Sequence, residues 1–315
     1  MKQAVLIMAH KNLNQVIRLI RSLSKSDFHF LVHLDSKMDV TDSEFCNLLN
    51  CSDNVFIVKK RISGVLDTWS LVEISLSLIE LAKQIELNKN IHYSYYLLLS
   101  GQDYPIKSVE YITEFLGKTY PKPLIDCTPY DKHNWLYYKF NVIGIREISK
   151  YVDSKLNRGI LRKIIKLPLI IYGSLLGWVY RNFLYDYKLY GGSAWWILPD
   201  KVIEFILHEI KTNGHKINKL KITNTPEETF FQIMTMASPL SNLVDLNPKD
   251  MVEQNCMTYA HFSDEGKPFM GHPYILTKED FSKIVKLPQL FARKFDTVTD
   301  SNILDMIDRH IVNNT

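Results

Sequence analysis

The stretch Tyr93-Ser-Tyr-Tyr-Leu-Leu-Leu-Ser-Gly-Gln-Asp-Tyr-Pro105 decides the fold. Its unbroken apolar and aromatic run, 95–99, is typical of a parallel strand that is buried on both faces. The polar sequence Ser100-Gly-Gln-Asp103 follows at once, and ligands bind in open α/β sheets at the carboxyl ends of such strands. The stretch therefore predicts either a binding site at this edge of the sheet or a strand that simply ends in a polar turn.

Strands and helices alternate along the rest of the chain. We predict strands at 4–8, 28–34, 55–58 and 124–127, and amphipathic helices at 12–23, 68–87, 109–116, 200–211 and 229–237. Alternation at this spacing indicates an α/β fold, Rossmann-like, with a parallel sheet and crossover helices. Because no repeat, low-complexity tract or linker interrupts the pattern, we predict a single domain, 1–315.

Composition and charge exclude several classes of protein. The 315 residues carry a formal net charge of +4, without the basic clusters typical of nucleic-acid binding. The four cysteines form no Cys-x-x-Cys pair, which fits a reducing compartment. The N-terminus lacks a signal-peptide pattern, and no apolar run reaches the roughly 18 residues of a membrane span. We expect a cytoplasmic, bacterial enzyme.

Several catalytic signatures are missing from the sequence. The absence of Gly-x-Gly-x-x-Gly and Gly-x-x-x-x-Gly-Lys-Ser/Thr argues against a dinucleotide-binding or P-loop enzyme. The absence of Gly-x-Ser-x-Gly argues against an α/β-hydrolase. Apart from His29 and His33, which are four residues apart on a predicted strand, the ten histidines have no metal-ligand spacing, and no Asp-x-Asp follows the strand at 95–99. We therefore expect neither a metal site nor a cofactor.

The strongest candidate for catalysis is Thr225-Pro-Glu-Glu-Thr-Phe-Phe231. One interpretation is structural: Thr225 caps a helix, Pro226 takes its first position, and Glu228 completes a capping box. The other is catalytic: a glutamate that is fixed at a helix start acts as a general base. The sequence leaves both open, although Glu228 cannot fully cap the helix and also activate a hydroxyl group.

Two further sets of residues could contact a nucleotide. Leu290-Phe-Ala-Arg-Lys-Phe-Asp296 places Arg293 and Lys294 between aromatic residues, and these cations suit a diphosphate as well as a solvated turn. His10 and Asp35 each follow a predicted strand. Either side chain could contact the nucleotide, or form a helix cap or a surface salt bridge.

These segments, in this order, resemble one family of enzymes. The matching segments are Phe30-Leu-Val-His-Leu-Asp-Ser-Lys37, Asp67-Thr-Trp-Ser-Leu-Val-Glu73, Leu97-Leu-Leu-Ser-Gly-Gln-Asp-Tyr-Pro-Ile-Lys-Ser108, Gly192-Ser-Ala-Trp-Trp-Ile-Leu198, Thr225-Pro-Glu-Glu-Thr-Phe-Phe231 and Leu290-Phe-Ala-Arg-Lys-Phe-Asp296. In them the chain is similar to the core-2/I-branching β-1,6-N-acetylglucosaminyltransferases, a family that includes the peptide O-xylosyltransferases. The resemblance extends from the first strand to about Asp296.

The resemblance implies a GT-A glycosyltransferase fold with a central mixed, mostly parallel sheet. It also implies an inverting reaction, a UDP-sugar donor and no divalent metal. The matching motifs assign the general base to Glu228 and the diphosphate contact to Lys294. On the donor side we place Arg293, His10 and Asp35 beside that lysine.

Further residues are expected to line the donor and acceptor sites. They are Trp69, Ser100, Gln102, Asp103, Lys139, Ser193, Trp195, Trp196 and Glu227. Of these, Lys139 is the plausible match to the acceptor-binding residues of the family, and Trp195 or Trp196 would offer a stacking face to a sugar. The expected donor is UDP-GlcNAc, and the expected acceptor is a glycan or lipid-linked glycan. The alternatives are a UDP-xylose-dependent transferase and a catalytically inactive sugar-binding protein.

The segment Lys155–Arg181 has an unusual charge pattern. It contains six basic residues and no acid, and the residues between Lys166 and Arg181 are almost all apolar or small. This pattern suits a peripheral contact with the inner face of an anionic membrane. The alternative is a core helix whose basic neighbours are solvated.

Overall fold

The computed structural model describes most of the chain. The described residues are 1–24, 27–50, 53–131, 136, 140, 164, 167–168, 171–175, 186–246, 255–262 and 272–313. Lys139, which was expected to bind the acceptor, lies outside them, as do the basic residues of the segment 155–181.

Strands and helices alternate through the first hundred residues, as predicted. The elements are β1 (Lys2–Ala9), α1 (Leu13–Ser22), β2 (Phe28–Leu34), α2 (Asp42–Leu49), β3 (Val55–Ile57), α3 (Trp69–Lys89) and β4 (Tyr93–Ser100). Helix α2 was not predicted. It begins with a capping box in which Thr41 Oγ1 accepts a hydrogen bond from the Glu44 N–H at 3.1 Å.

The later strands have only two to four residues each, and helices lie between them. They are β5 (Tyr104–Pro105), α4 (Val109–Thr119), β6 (Leu124–Ile125), β7 (Thr128–Pro129), β8 (Tyr190–Gly191), β9 (Trp196–Pro199), α5 (Asp200–Thr212), α6 (Gly214–Leu220), α7 (Phe230–Ala237), β10 (Thr258–Ala260), α8 (Phe281–Ile284), β11 (Phe291–Arg293) and α9 (Asn302–Asn313). Short 3-10 helices lie at Pro226–Glu228, Ser241–Leu243 and Lys278–Asp280.

The central sheet has the strand order β3-β2-β1-β4-β9-β6. The pairs β1–β2, β1–β4 and β2–β3 are parallel, whereas β9 runs antiparallel to β4 and β6. This confirms the predicted α/β fold with a mixed, mostly parallel sheet. Ala9 pairs with Leu34, and Met8 pairs with Ser100, so the carboxyl ends of β1, β2 and β4 meet at one edge. The division into a single domain stays a prediction.

Both faces of the central sheet are buried, as the apolar run of β4 predicts. Val5 and Ile7 of β1 pack on the face that α1 and α9 cover. Ala4 and Leu6, which alternate with them, pack on the face that α3, α5 and α7 cover. Two smaller sheets, β10-β11-β5 and β7-β8, lie beside the central one. In β11–β5, Ala292 pairs with Tyr104, which brings the basic segment at 290–296 to the end of β4.

The glycine after β4 is required by lack of space rather than by a sharp turn. The φ angle of Gly101 lies outside the left-handed region. A Cβ at this position would lie 2.7 Å from Cγ2 of Val16 on α1, and atoms do not approach so closely in a packed core. The glycine therefore lets α1 pack directly over the end of β4.

The predicted capping box at Thr225 is wrong. Thr225 has a φ of 58°, in the left-handed region, and its side chain forms no capping bond. Its hydroxyl instead donates to the Asn224 carbonyl oxygen at 2.6 Å. A 3-10 helix, Pro226–Glu228, separates Thr225 from α7, so the two glutamates precede the helix rather than start it.

The described residues of the segment 155–181 contradict the core-helix alternative. Ile164, Leu167, Ile171, Tyr172 and Leu175 are between 53% and 64% exposed. Residues 171–175 are helical, and Ile171 and Leu175, four positions apart, lie on the same side of that turn. Within the described ranges, no helix has the length and apolar character that crossing a bilayer requires.

Candidate active site

The carboxyl edge of β1, β2 and β4 carries a group of charged residues. His10 follows β1, Asp35 follows β2, and Lys294 follows β11. The charges of Asp35 and Lys294 both act on the pKa of His10, so the three side chains share one electrostatic environment. Residues that are up to 284 positions apart in sequence are thus brought together, as the motifs predicted.

The Ser100–Asp103 turn is buried beneath this edge. One carboxylate oxygen of Asp103 accepts from the Ser100 N–H at 2.6 Å, and the other accepts from the Ser100 hydroxyl at 3.0 Å. Gln102 binds the 290–296 segment through two bonds: its side-chain amide donates to the Phe295 carbonyl at 3.1 Å, and its own carbonyl accepts from the Phe295 N–H at 2.9 Å. All three side chains are at most 4% exposed. These buried side chains therefore hold the backbone of the turn and of the 290–296 segment in place beneath the site.

Arg293 is held between a carboxylate and an indole ring. Its Nε donates to Asp103 Oδ1 at 2.9 Å, and its guanidinium carbon lies 4.2 Å from the centroid of the Trp195 ring. Burial raises the pKa of Asp103, while the charge of Arg293 acts in the opposite direction. Stacking and a charge-assisted bond together fix the guanidinium plane. Arg293 is consequently better suited to orient the segment than to grip a ligand.

Lys294 is the half-buried cation of this segment. Burial lowers its pKa, and the nearby charges of Arg293 and Lys11 lower it further, whereas Asp296 and Asp103 raise it. A lysine in this state gains free energy when an anion comes close, because the anion offsets both desolvation and the repulsion from neighbouring cations. The arrangement favours a phosphate-bearing ligand at Lys294.

His10 and Asp35 have different surroundings. Burial and the charges of Lys11 and Lys294 lower the pKa of His10, so its ring is neutral at pH 7 and can exchange hydrogen bonds with a ligand. Asp35 is 3% exposed. Its oxygens accept from the Lys37 N–H at 2.9 Å and the Gly64 N–H at 2.8 Å. The carboxylate thus fixes the loop above it, and its expected donor contact stays a prediction.

A cleft of about 700 Å³ opens beside His10 between α1 and α2. Its lining includes Lys11, Met38, Glu44 and Leu48. The volume lies within the range of small-molecule sites, about 300–1,000 Å³. The cleft can therefore accept a nucleoside-sized group next to the cationic edge.

The 3-10 helix Pro226–Glu228 carries the candidate base. Glu228 is partly exposed, and its backbone is fixed at both ends: its N–H donates to the Thr225 carbonyl at 3.0 Å, and its carbonyl accepts from the Gly192 N–H at 2.9 Å. A Cβ at Gly192 would lie 1.9 Å from the Asp126 carbonyl oxygen. Only glycine permits this approach to the Asp126 backbone. The Gly192 N–H bond then holds the loop after β8 against the candidate base.

Of the three tryptophans that were expected to line the site, two are partly exposed and one lies in the core. Trp196 is 1% exposed and packs on Phe231 at a centroid distance of 4.6 Å, so its expected role as a stacking face is wrong. Trp195 is partly exposed. Trp69 is partly exposed and meets the Phe230 ring edge-on at 5.1 Å.

Ser193 and Glu227 hold the backbone around the candidate base. The Ser193 carbonyl accepts from the Gln232 side chain at 2.6 Å. Glu227 is 5% exposed, and its Oε1 accepts from the Asp67 N–H at 2.7 Å. Both residues lie beside the site without presenting these groups to solvent.

Two residues that the sequence did not single out belong to the same region. Lys11 Nζ lies 2.6 Å from Asp296 Oδ2. The buried Gln15 side-chain amide donates to the carbonyls of Gly101 and Phe295, at 3.0 Å each. Lys11 follows β1 directly, which is a usable signal, whereas nothing local marks Gln15 on an ordinary amphipathic helix.

The loop after β8 connects the two halves of the candidate site. At Gly192 it binds the backbone of Glu228, and three residues later Trp195 stacks on Arg293, the neighbour of Lys294. Within the ranges that the structure describes, no three His, Cys, Asp or Glu side chains are grouped to hold a metal ion. The arrangement offers a carboxylate for proton transfer and a cation for a leaving phosphate group.

Comparison with known proteins identifies relatives over nearly the whole chain. The family model described as Core-2/I-Branching enzyme matches residues 4–285. The chain is 21% identical to human beta-1,3-galactosyl-O-glycosyl-glycoprotein beta-1,6-N-acetylglucosaminyltransferase 3, with 96% of this chain and 66% of that protein covered. It is 22% identical to Xylosyltransferase 2 of Rattus norvegicus, with 98% and 33% covered. The chain thus spans about two thirds of the first relative and one third of the second.

Solved structures show only a distant likeness. Mouse xyloside xylosyltransferase 1 in its apo form has a TM-score of 0.33 and 9% identity, with 93% of this chain and 97% of that chain covered. The crystal structure of S. aureus TarS has a TM-score of 0.29 and 16% identity, with 46% and 25% covered.

Proposed function

The chain belongs to the Core-2/I-branching enzyme family, and we propose that it is an inverting, metal-independent glycosyltransferase. In this proposal it moves a sugar from a UDP-sugar donor to a hydroxyl group of a glycan acceptor. Membership of this family of glycosyltransferases and the α/β GT-A fold are the frame of the proposal. The proposed mechanism is argued from the geometry of the site, and the proposed donor and linkage are argued from the relatives.

One observation carries the proposal: a single short loop contacts both the backbone of Glu228 and Arg293, the neighbour of Lys294. Gly192 binds the carbonyl of Glu228 at 2.9 Å, and Trp195 stacks at 4.2 Å on Arg293, next to Lys294. A base and a cation for the leaving group must act on opposite sides of the same anomeric carbon. Linking them through four consecutive residues keeps their separation constant, which is the main requirement for positioning.

The proposed mechanism is one in-line displacement. Glu228 takes the proton from the acceptor hydroxyl as its oxygen attacks the anomeric carbon, and general-base help of this kind contributes roughly 10²- to 10⁴-fold. The bond between the anomeric carbon and the diphosphate oxygen breaks on the opposite face. Lys294 then stabilises the negative charge that develops on the departing UDP. The neutral His10 ring is placed to accept or donate a hydrogen bond on the donor side.

For the donor we propose UDP-GlcNAc, transferred in β-1,6 linkage. The relatives divide between β-1,6-N-acetylglucosaminyltransferases and xylosyltransferases, so UDP-xylose is the second candidate. A catalytically inactive sugar-binding protein is the third. The partly exposed Glu228 and the poised Lys294 favour an active enzyme.

A UDP-release assay with a panel of UDP-sugars and glycan acceptors separates these candidates. The proposal expects acceptor-dependent release of UDP from UDP-GlcNAc above that from UDP-xylose. A preference for UDP-xylose selects the second candidate. Tight UDP binding without release from any donor, across the acceptor panel, selects the inactive sugar-binding protein.

We predict that activity survives chelation by EDTA. The physical reason is that Lys294 supplies the positive charge that a divalent ion gives to the leaving diphosphate in Asp-x-Asp enzymes, and this chain has no such motif after β4. UDP release is measured with EDTA, and again after Mn²⁺ is added back. A fall to background that Mn²⁺ restores contradicts the metal-free mechanism.

We also propose that the acceptor is lipid-linked and that the enzyme works at the cytoplasmic face of an anionic membrane. The support is the exposed apolar side chains at Leu167, Ile171 and Leu175 within a segment that has six basic residues and no acid. Apolar area and basic charge act together in binding to anionic lipid surfaces.

The membrane proposal predicts co-sedimentation with anionic vesicles but not with neutral ones. Changing Leu167, Ile171 and Leu175 together to Ser should abolish it, because the apolar contact is lost. Leu87→Ser is the matched control, since Leu87 is 82% exposed on α3. Equal binding by both variants, or no sedimentation of the unaltered protein at low salt, contradicts membrane contact.

A further inference from the structure

The segment 62–67 connects the donor side of the site to the candidate base. At its start, the Ile62 N–H donates to His33 Nε2 at 2.9 Å, and the Gly64 N–H donates to Asp35 Oδ2 at 2.8 Å. At its end, the Asp67 N–H donates to Glu227 Oε1 at 2.7 Å. We call residues 62–67 the bridge segment. It is the path by which the end of β2 contacts the turn that carries Glu228.

Glu227 is turned away from its own 3-10 helix. An acid that only favoured the positive end of a short helix would stay in solvent, where its charge costs nothing to keep. Glu227 is 5% exposed, and it accepts a bond from a residue 160 positions away. A charged acceptor makes this kind of hydrogen bond short and strong. The side chain therefore acts between segments rather than within its turn.

Both sides of this contact have strained backbone. Asp67 has a φ of 64°, and Thr225, two residues before Glu227, has a φ of 58°. The left-handed region is unfavourable for an L-residue, and for the β-branched Thr225 it is a true outlier. Such conformations persist when surrounding contacts over-determine them, and they concentrate at functional sites. The Glu227–Asp67 bond lies between the two strained residues.

We propose that Glu227 is a positioning residue for the reaction. Its bond to Asp67 fixes the turn 225–229 against the bridge segment, and so holds the Glu228 carboxylate at a constant place relative to the donor side. The proposal rests on the proposed role of Glu228 as general base. Glu227 itself does not contact substrate, and its effect appears in the rate of the chemical step rather than in donor affinity.

The first test compares two substitutions of Glu227. Glu227→Gln keeps an oxygen acceptor for the Asp67 N–H and should retain a kcat within a few-fold of the unaltered protein. Glu227→Ala removes the acceptor, and a base misplaced by about 1 Å can cost on the order of 10²-fold. We expect a loss of kcat of at least about tenfold in Ala, with the Kd for UDP and the Tm little changed. Glu279→Ala is the matched control, because Glu279 is an exposed glutamate at the same position of another 3-10 helix.

A second test acts on the other end of the bridge segment. A Cβ at Gly64 would lie 3.0 Å from Asp35 Oδ2 and 3.1 Å from Ile74 Cδ1, so Gly64→Ala strains the contact between the bridge segment and Asp35 without touching Glu227. Residues that act through one connection give non-additive effects in a double-mutant cycle. We expect Gly64→Ala to lower kcat, and the double variant with Glu227→Ala to be little worse than either single variant. Fully additive losses overturn the proposal.

A third measurement does not depend on activity. Amide hydrogen exchange at Asp67 should accelerate in Glu227→Ala and stay near the unaltered rate in Glu227→Gln and in the Glu279→Ala control. Unchanged exchange in Glu227→Ala, or equal loss of kcat in Ala and Gln, overturns the positioning role. If the unaltered protein transfers no sugar, the proposed function fails, and the exchange measurement still decides the contact.

Discussion

Replacing Glu228 by Gln is expected to lower the rate of sugar transfer by roughly 10²- to 10⁴-fold, the usual contribution of a general base, while UDP binding stays near normal. The amide has the same size but cannot take a proton from the acceptor. The turn itself should survive, because the bonds that hold Glu228 at Thr225 and Gly192 involve only its backbone. The variant thus separates chemistry from folding.

The rate of UDP release at saturating donor and acceptor measures this effect, and calorimetry measures UDP binding. Glu279→Gln is the control, since it changes an exposed glutamate of a 3-10 helix away from the site. Loss of a general base usually lowers a rate by at least about 100-fold. If Glu228→Gln keeps more than about a tenth of the rate, the base therefore lies elsewhere. A parallel loss of UDP affinity would instead indicate damage to the donor site.

Replacing Lys294 by Ala is expected to weaken UDP binding by roughly 10- to 150-fold, which corresponds to the 1.5–3 kcal/mol of a hydrogen bond to a charged group. The reason is the crowding of Lys294 by Arg293 and Lys11, which an anion relieves. Calorimetric titration with UDP gives the affinity directly. Lys286→Ala, at an exposed lysine after α8, should bind UDP like the unaltered protein. Equal affinity in the two variants assigns Lys294 to a solvated turn.

The pKa of Lys294 also predicts the direction in which the affinity for UDP changes with pH. The protonated amine binds the diphosphate, so at any pH at which UDP is fully ionised, above about 7, affinity falls as the pH passes the pKa of Lys294. Burial and neighbouring cations hold that pKa below its ordinary value, which is about 10.4 for lysine. The fall should therefore begin at a lower pH than an ordinary lysine would give, and Lys294→Ala should remove it.

The sequence alone was sufficient to predict those parts of the fold that depend on a local pattern of apolar residues. The run Tyr95–Leu99 predicted the central strand, and the polar residues after it predicted the edge where the charged groups meet. The antiparallel direction of β9 could not be derived from its own residues. Trp196–Pro199 is only four residues long, and its direction is set by pairing with β4, a contact across about a hundred residues.

The motifs predicted which residues gather at the candidate site, but not which of them hold one another in place, and their roles toward a ligand stay predictions. Thr225-Pro-Glu-Glu has the signature of a capping box, yet bonds to Gly192 and Asp67 impose another backbone there. Asp103 and Arg293 are separated by 190 positions, and no local pattern reveals that one neutralises the other. Side chains expected to contact ligand proved to be supports because their partners lie far away in sequence.

The pairing of β11 with β5 has a consequence for synthesis of the chain. Strands β1 to β4, which form the donor edge, are complete by Ser100, but Lys294 reaches that edge only when Phe291 and Ala292 pair with Pro105 and Tyr104. A chain emerging from the ribosome therefore has the residues that line the cleft beside His10 long before it has the cation proposed for the leaving group. Because β9 of the central sheet lies at 196–199, synthesis supplies the parallel strands first, then the antiparallel strand, and the proposed leaving-group cation after both.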